Sequence, residues 1–313
     1  MSGSPDPEQD SVAVSTRAQE RQGRRPRINW GAYLFLLPAF VLFAVFVAYP
    51  IGFNTYLSLH NWNGVSDVWE WVGFEHFGRL PEERTIRLSL RNSGFFFAGH
   101  LVNMAVALLL AVLLNNPIAG RNLARTLIFV PFVVAGSIVA VTWQTIYDPN
   151  IGALNNSLRR LGLEVLAQNW LADPRLAIWS LVVVGIWAGL GFNLVVYLAS
   201  LQAADPSLKD AARIDGASAG QVFRYITFPL LRNTHLVLMM LGIIAAVQSF
   251  EVPFIMTEGG PYGATTTLAI DVYKNVFNFG EFGYGAAVSL FTMVILVLLI
   301  LLQRLMLREQ RID

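Results

Sequence analysis

The chain has 313 residues, of which 55% are hydrophobic and only 14% are charged, and its formal net charge at pH 7 is +1. Soluble domains carry about 25% charged residues, so this composition excludes an ordinary water-soluble fold, and the balanced charge gives no basis for nucleic-acid binding. The absence of cysteine excludes disulfides, thiolate nucleophiles and cysteine-ligated metal sites.

The first 29 residues are polar and contain five arginines: Arg17, Arg21, Arg24, Arg25 and Arg27. Their composition predicts a disordered tail over 1–29. The polar stretch is long for a signal peptide, and no small-residue cleavage signature follows the apolar run after it. The sequence therefore predicts an uncleaved membrane anchor.

Six apolar windows follow, each close to the roughly 20 residues that a helix needs to cross a bilayer. The predicted spans are 31–53, 93–115, 126–146, 177–200, 234–255 and 284–303. They predict an all-α polytopic membrane protein with a transmembrane domain over 30–304 and a short tail over 305–313.

The distribution of Lys and Arg predicts the orientation. If the N-terminus is cytoplasmic, the inner segments hold 14 of the 22 Lys and Arg residues, as the positive-inside rule requires. Six spans then leave both termini in the cytoplasm of a multi-pass protein of the bacterial or archaeal cytoplasmic membrane. The longest internal cytoplasmic segment is 201–233, between helices four and five.

Within that segment, residues 205–229 have the pattern of two short helices joined by a glycine turn. Asp205 is suited to cap a helix and Pro206 to begin it. Gly216 allows a turn with positive φ, and Pro229 ends the second helical stretch. Such a knob suits docking to a partner; the alternative is an ordinary loop with solvated charges, and the pattern alone does not separate the two.

Several motifs in this segment match a known family. Asp210-Ala211-Ala212, Gly216 and the run 226–229 (Ile-Thr-Phe-Pro) occupy the places of the E-A-A-x-x-x-G and I-x-L-P pattern, so the segment resembles the EAA loop of ABC importer permeases. The run 215–218 and Phe223 resemble the carbohydrate branch, as do the stretches 49–50, 71–77 and 257–261. The sequence departs from the pattern at Asp210 (usually Glu), Phe228 (usually Leu) and Asn233 (often Pro).

The resemblance implies that this loop is a coupling helix that docks on a separate ATPase. The chain contains no G-x-x-x-x-G-K-[ST] phosphate loop, so it is not expected to bind or hydrolyse ATP itself. It is expected to be no enzyme and to bind no cofactor or metal, with ATP and Mg on the partner ATPase. The implied partners are a second permease, a dimer of ATP-binding subunits, an external solute-binding protein, the lipid bilayer and a sugar. The implied coupling residues are Asp210, Ala211, Ala212, Arg213, Asp215, Gly216, Ala217, Phe223 and Pro229.

Polar groups inside spans are costly and are therefore candidates for function. A sugar site needs aromatic faces for the C–H surface of the ring and amide or carboxylate groups for its hydroxyls. Helices four and five supply both, with Gln248 and Glu251 expected on one face of a continuous helix. The predicted solute path consists of Trp187, Gly189, Phe192, Asn193, Gln248, Ser249, Phe250 and Glu251.

Alternatives stay open for several of these residues. Glu251 lies near the outer end of its helix and can reach water. Gly185 and Gly189, four residues apart, are typical of a close helix-packing face, and Asn103 is expected to form a hydrogen bond between helices.

The alternative function is that of an ion- or proton-coupled carrier. Such a carrier usually has several ionisable residues in mid-span, and only Glu251, His100 and, at the edge of its window, His235 fall inside the windows. A channel is a further alternative. An intramembrane enzyme is disfavoured because no nucleophile with a base, or pair of carboxylates, occurs at a compatible depth. The four histidines lack the spacing of metal ligands.

Overall fold

The computed structural model describes residues 30–205 and 207–308. The predicted tail over 1–29, the end of the chain from 309 and Pro206 lie outside the described residues. The described part is helical except for turns, loops and one short antiparallel pair of strands, β1 (His60–Asn61) and β2 (Glu70–Trp71). The prediction of an all-α membrane protein is confirmed.

The helices are, in chain order, α1 (Trp30–Phe43), α2 (Tyr49–Leu57), α3 (Glu75–Arg79), α4 (Arg84–Leu114), α5 (Arg121–Val133), α6 (Gly136–Ile146), α7 (Ala153–Arg160), α8 (Ala177–Ala203), α9 (Ser207–Ile214), α10 (Ala219–Val222), α11 (Phe228–Leu230), α12 (Arg232–Val247), α13 (Glu251–Thr257), α14 (Leu268–Tyr273) and α15 (Phe282–Arg308). Turns of π-helix lie at Ala44–Ala48, Phe223–Thr227 and Lys274–Asn278, and a 3-10 turn lies at Glu164–Leu166.

By length and composition, five segments of the described chain could each cross a membrane, and the bent pair of α5 and α6 makes six if it counts as one span. The five are Phe35–Leu57, Arg84–Leu114, Ala177–Ala203, Arg232–Thr257 and Phe282–Leu305. The largest extensions past the predicted spans are at α4, which begins at Arg84 rather than at residue 93, and at α15, which continues to Arg308. A helix can continue beyond the bilayer where its arginines are hydrated, and a hydropathy window does not detect such a continuation.

The described residues up to Phe53 belong to a first unit, built from α1, a π-helical turn and the start of α2. Every side chain from Phe35 to Phe53 is exposed within the chain. A helix that is apolar on all sides is typical of a membrane span.

The second unit begins at Asn54 and is built around α4 and α8, which pack along much of their lengths. Small residues allow this packing. Ala107 and Ala111 of α4 are fully buried in a core cluster with Leu194 and Tyr197 of α8. On α8, a Cβ at Gly191 would lie 2.6 Å from the Cα of Phe129 in α5.

Among the glycines of α8, Gly191 is therefore the one that permits close helix packing. The packing alternative for Gly185 is wrong, because a Cβ there would meet nothing within 4 Å, and at Gly189 it would meet only the Asn103 side chain, at 3.4 Å.

The third predicted span is not one continuous helix. Helices α5 and α6 meet at an angle of 98°, and Val134 between them is extended, with φ −73° and ψ 135°. Pro131 lacks a backbone N–H and weakens the helix just before the break. Gly136 is the first residue of α6, and because it has no side chain, the neighbouring α13 can approach closely.

The fifth predicted span is also interrupted. Helix α12 ends at Val247 and α13 begins at Glu251, with Phe250 between them at φ −132° and ψ −61°. In a continuous helix, Pro253 could not donate to the carbonyl of Ser249, and its ring would collide with that carbonyl. The expectation that Gln248 and Glu251 share one face of a continuous helix is therefore wrong.

Candidate functional site

The loop between α8 and α12 folds as the glycine-turn knob that its sequence predicts. Asp205 Oδ1 accepts a hydrogen bond from the backbone N–H of Ser207 at 2.9 Å, and this bond holds the pKa of Asp205 below its ordinary value. Helix α9 ends at Ile214, and Gly216 follows at φ +84°. The backbone N–H of Ala217 donates to the carbonyl of Ala212 at 2.9 Å, which is the six-residue bond of a Schellman turn with Gly216 at the left-handed position.

A capping box then begins the second helix of the knob. The N–H of Gln221 donates to Ser218 Oγ at 3.4 Å, and the N–H of Ser218 donates to Gln221 Oε1 at 2.7 Å. Sequence reasoning overlooked this pair, although the S-x-x-Q spacing is its usual signature. The two caps fix α9 and α10 on either side of Gly216, so the turn sets the geometry of the whole knob.

The knob presents both predicted and unpredicted residues on its surface. Ile214 is 85% exposed and Tyr225 is 70% exposed, and neither was predicted to contribute. Tyr225 and Gly216 line a shallow notch of about 300 Å³. Of the predicted coupling residues, Asp210, Ala211, Asp215, Gly216 and Pro229 are exposed, and Ala212 and Ala217 are half-buried.

The other two predicted coupling residues are Phe223 and Arg213. Phe223 packs against the core cluster formed by α4 and α8, so it anchors the knob to the helices rather than forming part of its outer surface. Arg213 lies on α9.

A cavity of about 410 Å³ lies between α4, α8 and the interrupted pair of α12 and α13. Its volume falls within the range of small-molecule sites. The lining combines phenylalanine rings with a few amide, hydroxyl and imidazole groups. The residues that line it are Phe96, Gly99, His100, Asn103, Phe132, Leu181, Val182, Gly185, Ile186, Gly189, Phe192, Asn193, Leu241, Gly242, Ala245, Ala246, Ser249, Val252 and Pro253.

Two asparagines form the polar centre of the cavity wall. Asn193 Nδ2 donates to Asn103 Oδ1 at 2.7 Å, and Asn103 Nδ2 donates to the carbonyl of Ile186 at 2.6 Å. Both residues are almost fully buried. The expectation that Asn103 bonds between helices is confirmed, and its partner is a residue of the predicted solute path.

His100 is the other polar group that α4 contributes. Its Nε2 lies 3.0 Å from the carbonyl of Leu238 in α12, and because a carbonyl oxygen only accepts, Nε2 carries the hydrogen. The ring lies against Gly242, where a Cβ would collide with it.

The profile of a family described as "Binding-protein-dependent transport system inner membrane component" matches residues 103–312, which include the knob and most of the cavity lining. The chain belongs to this family. It is an ABC transporter permease, a multi-pass transport subunit.

Relatives extend the similarity to nearly the whole permease. It is 32% identical over 266 residues to the trehalose/maltose transport system permease protein of Thermococcus litoralis, covering 85% of this chain and 89% of that protein. It is also 32% identical over 284 residues to the lactose transport system permease protein of Rhizobium radiobacter, covering 89% and 94%.

A solved structure shares the fold. A chain of a bacterial ABC transporter involved in the import of the acidic polysaccharide alginate superposes with a TM-score of 0.78 at 24% identity, covering 90% of the permease and 96% of that chain. At this identity the similarity concerns the fold alone.

The permease brings only half of the predicted solute path together. Gly189, Phe192, Asn193 and Ser249 line the cavity. The other four lie outside its lining. Trp187 contacts Trp143, with ring centroids 5.5 Å apart, and Phe250 stacks on Phe254, with ring centroids 4.9 Å apart. Gln248 is exposed at the end of α12, and Glu251 starts α13. Sequence reasoning missed Phe96 and Phe132, because their place in the cavity lining depends on how the helices pack and not on residue spacing.

Glu251 has a specific position. Its carboxylate lies against Gly136, the first residue of α6, so closely that a Cβ there would collide with it. The N-terminus of a helix carries partial positive charge and favours an adjacent carboxylate. Glu251 is thus positioned to stabilise the start of α6 at the break. It is also exposed within the chain, in agreement with the alternative that it reaches water.

At the opposite end of the bundle from the knob, the segment after α13 is tied to α4 by a buried carboxyl group. Ser89 Oγ donates to Asp271 Oδ2 at 2.6 Å, and Asn92 Nδ2 donates to the carbonyl of Thr266 at 2.8 Å. Burial raises the pKa of Asp271 to about 6. Hydrogen bonds from Ser89 and Thr266 and the charge of Lys274 act to lower this pKa, and the charge of Glu83 acts to raise it.

The raised pKa of Asp271 predicts that the stability of the protein depends on pH. An Asp whose pKa is higher in the folded state binds more protons there than in the unfolded state, so stability falls as pH rises from about 4 to about 6 and levels off above that. With about 1.4 kcal/mol for each pKa unit, the full effect is at most about 3 kcal/mol. We expect wild type, compared with Asp271→Asn, to gain thermal stability in detergent as pH falls from 7 to 5.

The comparison at each pH removes the contribution of other titrating groups, because the two proteins differ only at position 271. A stability difference that stays constant between pH 7 and pH 5 would contradict the elevated pKa.

Proposed function

We propose that this permease forms the membrane path for a sugar or sugar-like solute that an external binding protein delivers, and that a separate ATPase drives it by docking on the 205–229 loop. A second permease and two copies of the ATPase complete the assembly, with ATP and Mg bound by the ATPase. The positive-inside distribution of Lys and Arg supports cytoplasmic termini and a cytoplasmic knob.

The observation that carries this proposal is the shape of the knob. Two capped helices are held on either side of the left-handed Gly216, and exposed Ile214 and Tyr225 flank the turn. Apolar side chains held in a fixed geometry outside a membrane-spanning domain favour docking over simple solvation. The relatives are named as transport-system permeases, and this chain has no phosphate-binding loop of its own, so a separate ATPase is the docking partner that fits.

The cavity supports an uncharged solute. The rings of Phe132 and Phe192 lie 5.1 Å apart and offer apolar faces, while Asn103, Asn193 and Ser249 offer polar groups. None of the residues that line the cavity is Lys, Arg, Asp or Glu. Two relatives are named for trehalose/maltose and for lactose, which supports a neutral oligosaccharide over an acidic one.

Uptake by the assembled transporter tests the proposal. The permease, reconstituted in liposomes with its partner permease and ATPase, is expected to accumulate labelled disaccharide only when its binding protein is outside and Mg-ATP inside. A protonophore should leave this uptake unchanged. Uptake that persists without ATP and is abolished by the protonophore would contradict the proposal and indicate a proton-coupled carrier.

A further inference from the structure

A second cavity lies between α12 and α15, away from the central one. It is a groove of about 870 Å³, larger than the candidate solute cavity. Its walls are mainly aliphatic, and its polar residues gather where α12 begins and α15 approaches its end. The residues that line it are Arg232, Asn233, Leu236, Val237, Met240, Ile300, Leu301, Gln303, Arg304 and Leu305.

A hydrogen bond joins the two walls of the groove. Gln303 Nε2 donates to the carbonyl of Leu236 at 2.9 Å, which ties α15 to α12. Val237 of α12 and Leu301 and Leu305 of α15 are exposed within the chain. The groove therefore presents apolar surface along the spans and polar groups at their ends.

Charge distinguishes this groove from an ordinary lipid-facing surface. Arg232 is the first residue of α12, and Arg304 lies near the end of α15, so both guanidinium groups belong to the end of the bundle that carries the knob. The groove lining contains no Asp or Glu. A guanidinium group binds phosphate oxygens in a bidentate manner, and basic pockets between transmembrane helices on the cytoplasmic side suit anionic headgroups.

We propose that this groove is a binding site for an anionic phospholipid, with its phosphate between Arg232 and Arg304 and an acyl chain along Val237, Met240 and Leu301. A free anion does not account for the long aliphatic walls, and a purely apolar chain does not account for the two arginines. A phospholipid combines both chemistries. The groove shares no lining residue with the central cavity.

The site is next to the proposed docking loop. Arg232 follows α11 and the buried Leu231 directly, and α11 is the last helical turn of the 205–229 region. A lipid held there would fix the membrane-facing base of the knob. The lipid site itself does not depend on the proposed transport function.

Lipid retention tests the proposal. The assembled permease is purified in mild detergent, exposed to equimolar phosphatidylglycerol and phosphatidylcholine, and analysed by native mass spectrometry. We expect wild type to retain phosphatidylglycerol preferentially and Arg232→Gln/Arg304→Gln to lose the preference, with about a fivefold loss of retention for each arginine. Arg121→Gln is the matched control, because Arg121 begins α5 near the same membrane surface but does not line the groove.

A second variant tests the apolar wall while keeping both arginines. Met240→Trp fills the groove and is expected to reduce retention of phosphatidylglycerol without changing the elution volume of the assembly. Equal retention of the two lipids by wild type, or unchanged preference in the double arginine variant, would overturn the proposal. Displacement of the lipid by millimolar inorganic phosphate at constant ionic strength would also overturn it, by indicating a simple anion site.

Discussion

Gly216→Val is expected to reduce ATP-driven transport by about tenfold or more while leaving the membrane domain folded. Gly216 has φ +84°, a conformation that costs an ordinary L-residue about 1–2 kcal/mol and a β-branched residue more. Nothing lies within 4 Å of a Cβ placed there, so the effect acts on the backbone turn and not through a steric clash. The Schellman turn opens, and Ile214 and Tyr225 lose their fixed relative positions.

Gly120→Val is the matched control for this prediction. Gly120 also has positive φ, at +77°, and open space around a Cβ, but it precedes α5 outside the knob. Uptake and ATPase activity are measured for both variants in the reconstituted assembly, with elution volume as the measure of folding. Normal transport by Gly216→Val, or equal loss in both variants, would contradict the docking role of the knob.

Gly185→Phe is expected to block transport while preserving assembly. Gly185 lines the central cavity, and a Cβ there meets nothing within 4 Å, so the ring can enter the cavity without displacing the backbone. Phenylalanine also favours a helix more than glycine does. We therefore expect unchanged or higher thermal stability, normal association with the ATPase, and a loss of solute uptake of at least about tenfold, since the cavity is close to the smallest size of small-molecule sites.

Val183→Phe provides the control on the same helix. Val183 is 49% exposed and does not line the cavity, so its variant adds the same ring to a different face of α8. Its uptake should match that of wild type. If Gly185→Phe transported normally, the cavity would not be part of the solute path.

The sequence predicted those features that depend on local chemistry. Apolar windows located the spans because the hydrophobic requirement of a bilayer is nearly independent of tertiary packing. The turn at Gly216 was predicted because only glycine readily adopts the left-handed conformation there.

The sequence did not predict the two breaks at 134–135 and 248–250, although Pro131 and Pro253 are close to them. A hydropathy window measures how apolar a stretch is and not its direction, and a proline is compatible with a kink as well as with a complete break. Only part of the lining of the central cavity was predicted, and the reason is related. Phe192 and Asn193 are on α8 by spacing, but Phe132 reaches the cavity from the neighbouring α5, next to the end of that helix at Val133.

Co-purification tests the central claim most directly. The tagged permease is isolated from native membranes in mild detergent, and the co-eluting proteins are identified by mass spectrometry for wild type, Gly216→Val and Gly120→Val. We predict that wild type and Gly120→Val retain an ATPase and a second permease, and that Gly216→Val keeps the second permease but loses the ATPase. Recovery of the permease alone from wild type, even after cross-linking, or undiminished ATPase with Gly216→Val, would contradict the assignment of the 205–229 loop as the site that couples this permease to ATP hydrolysis.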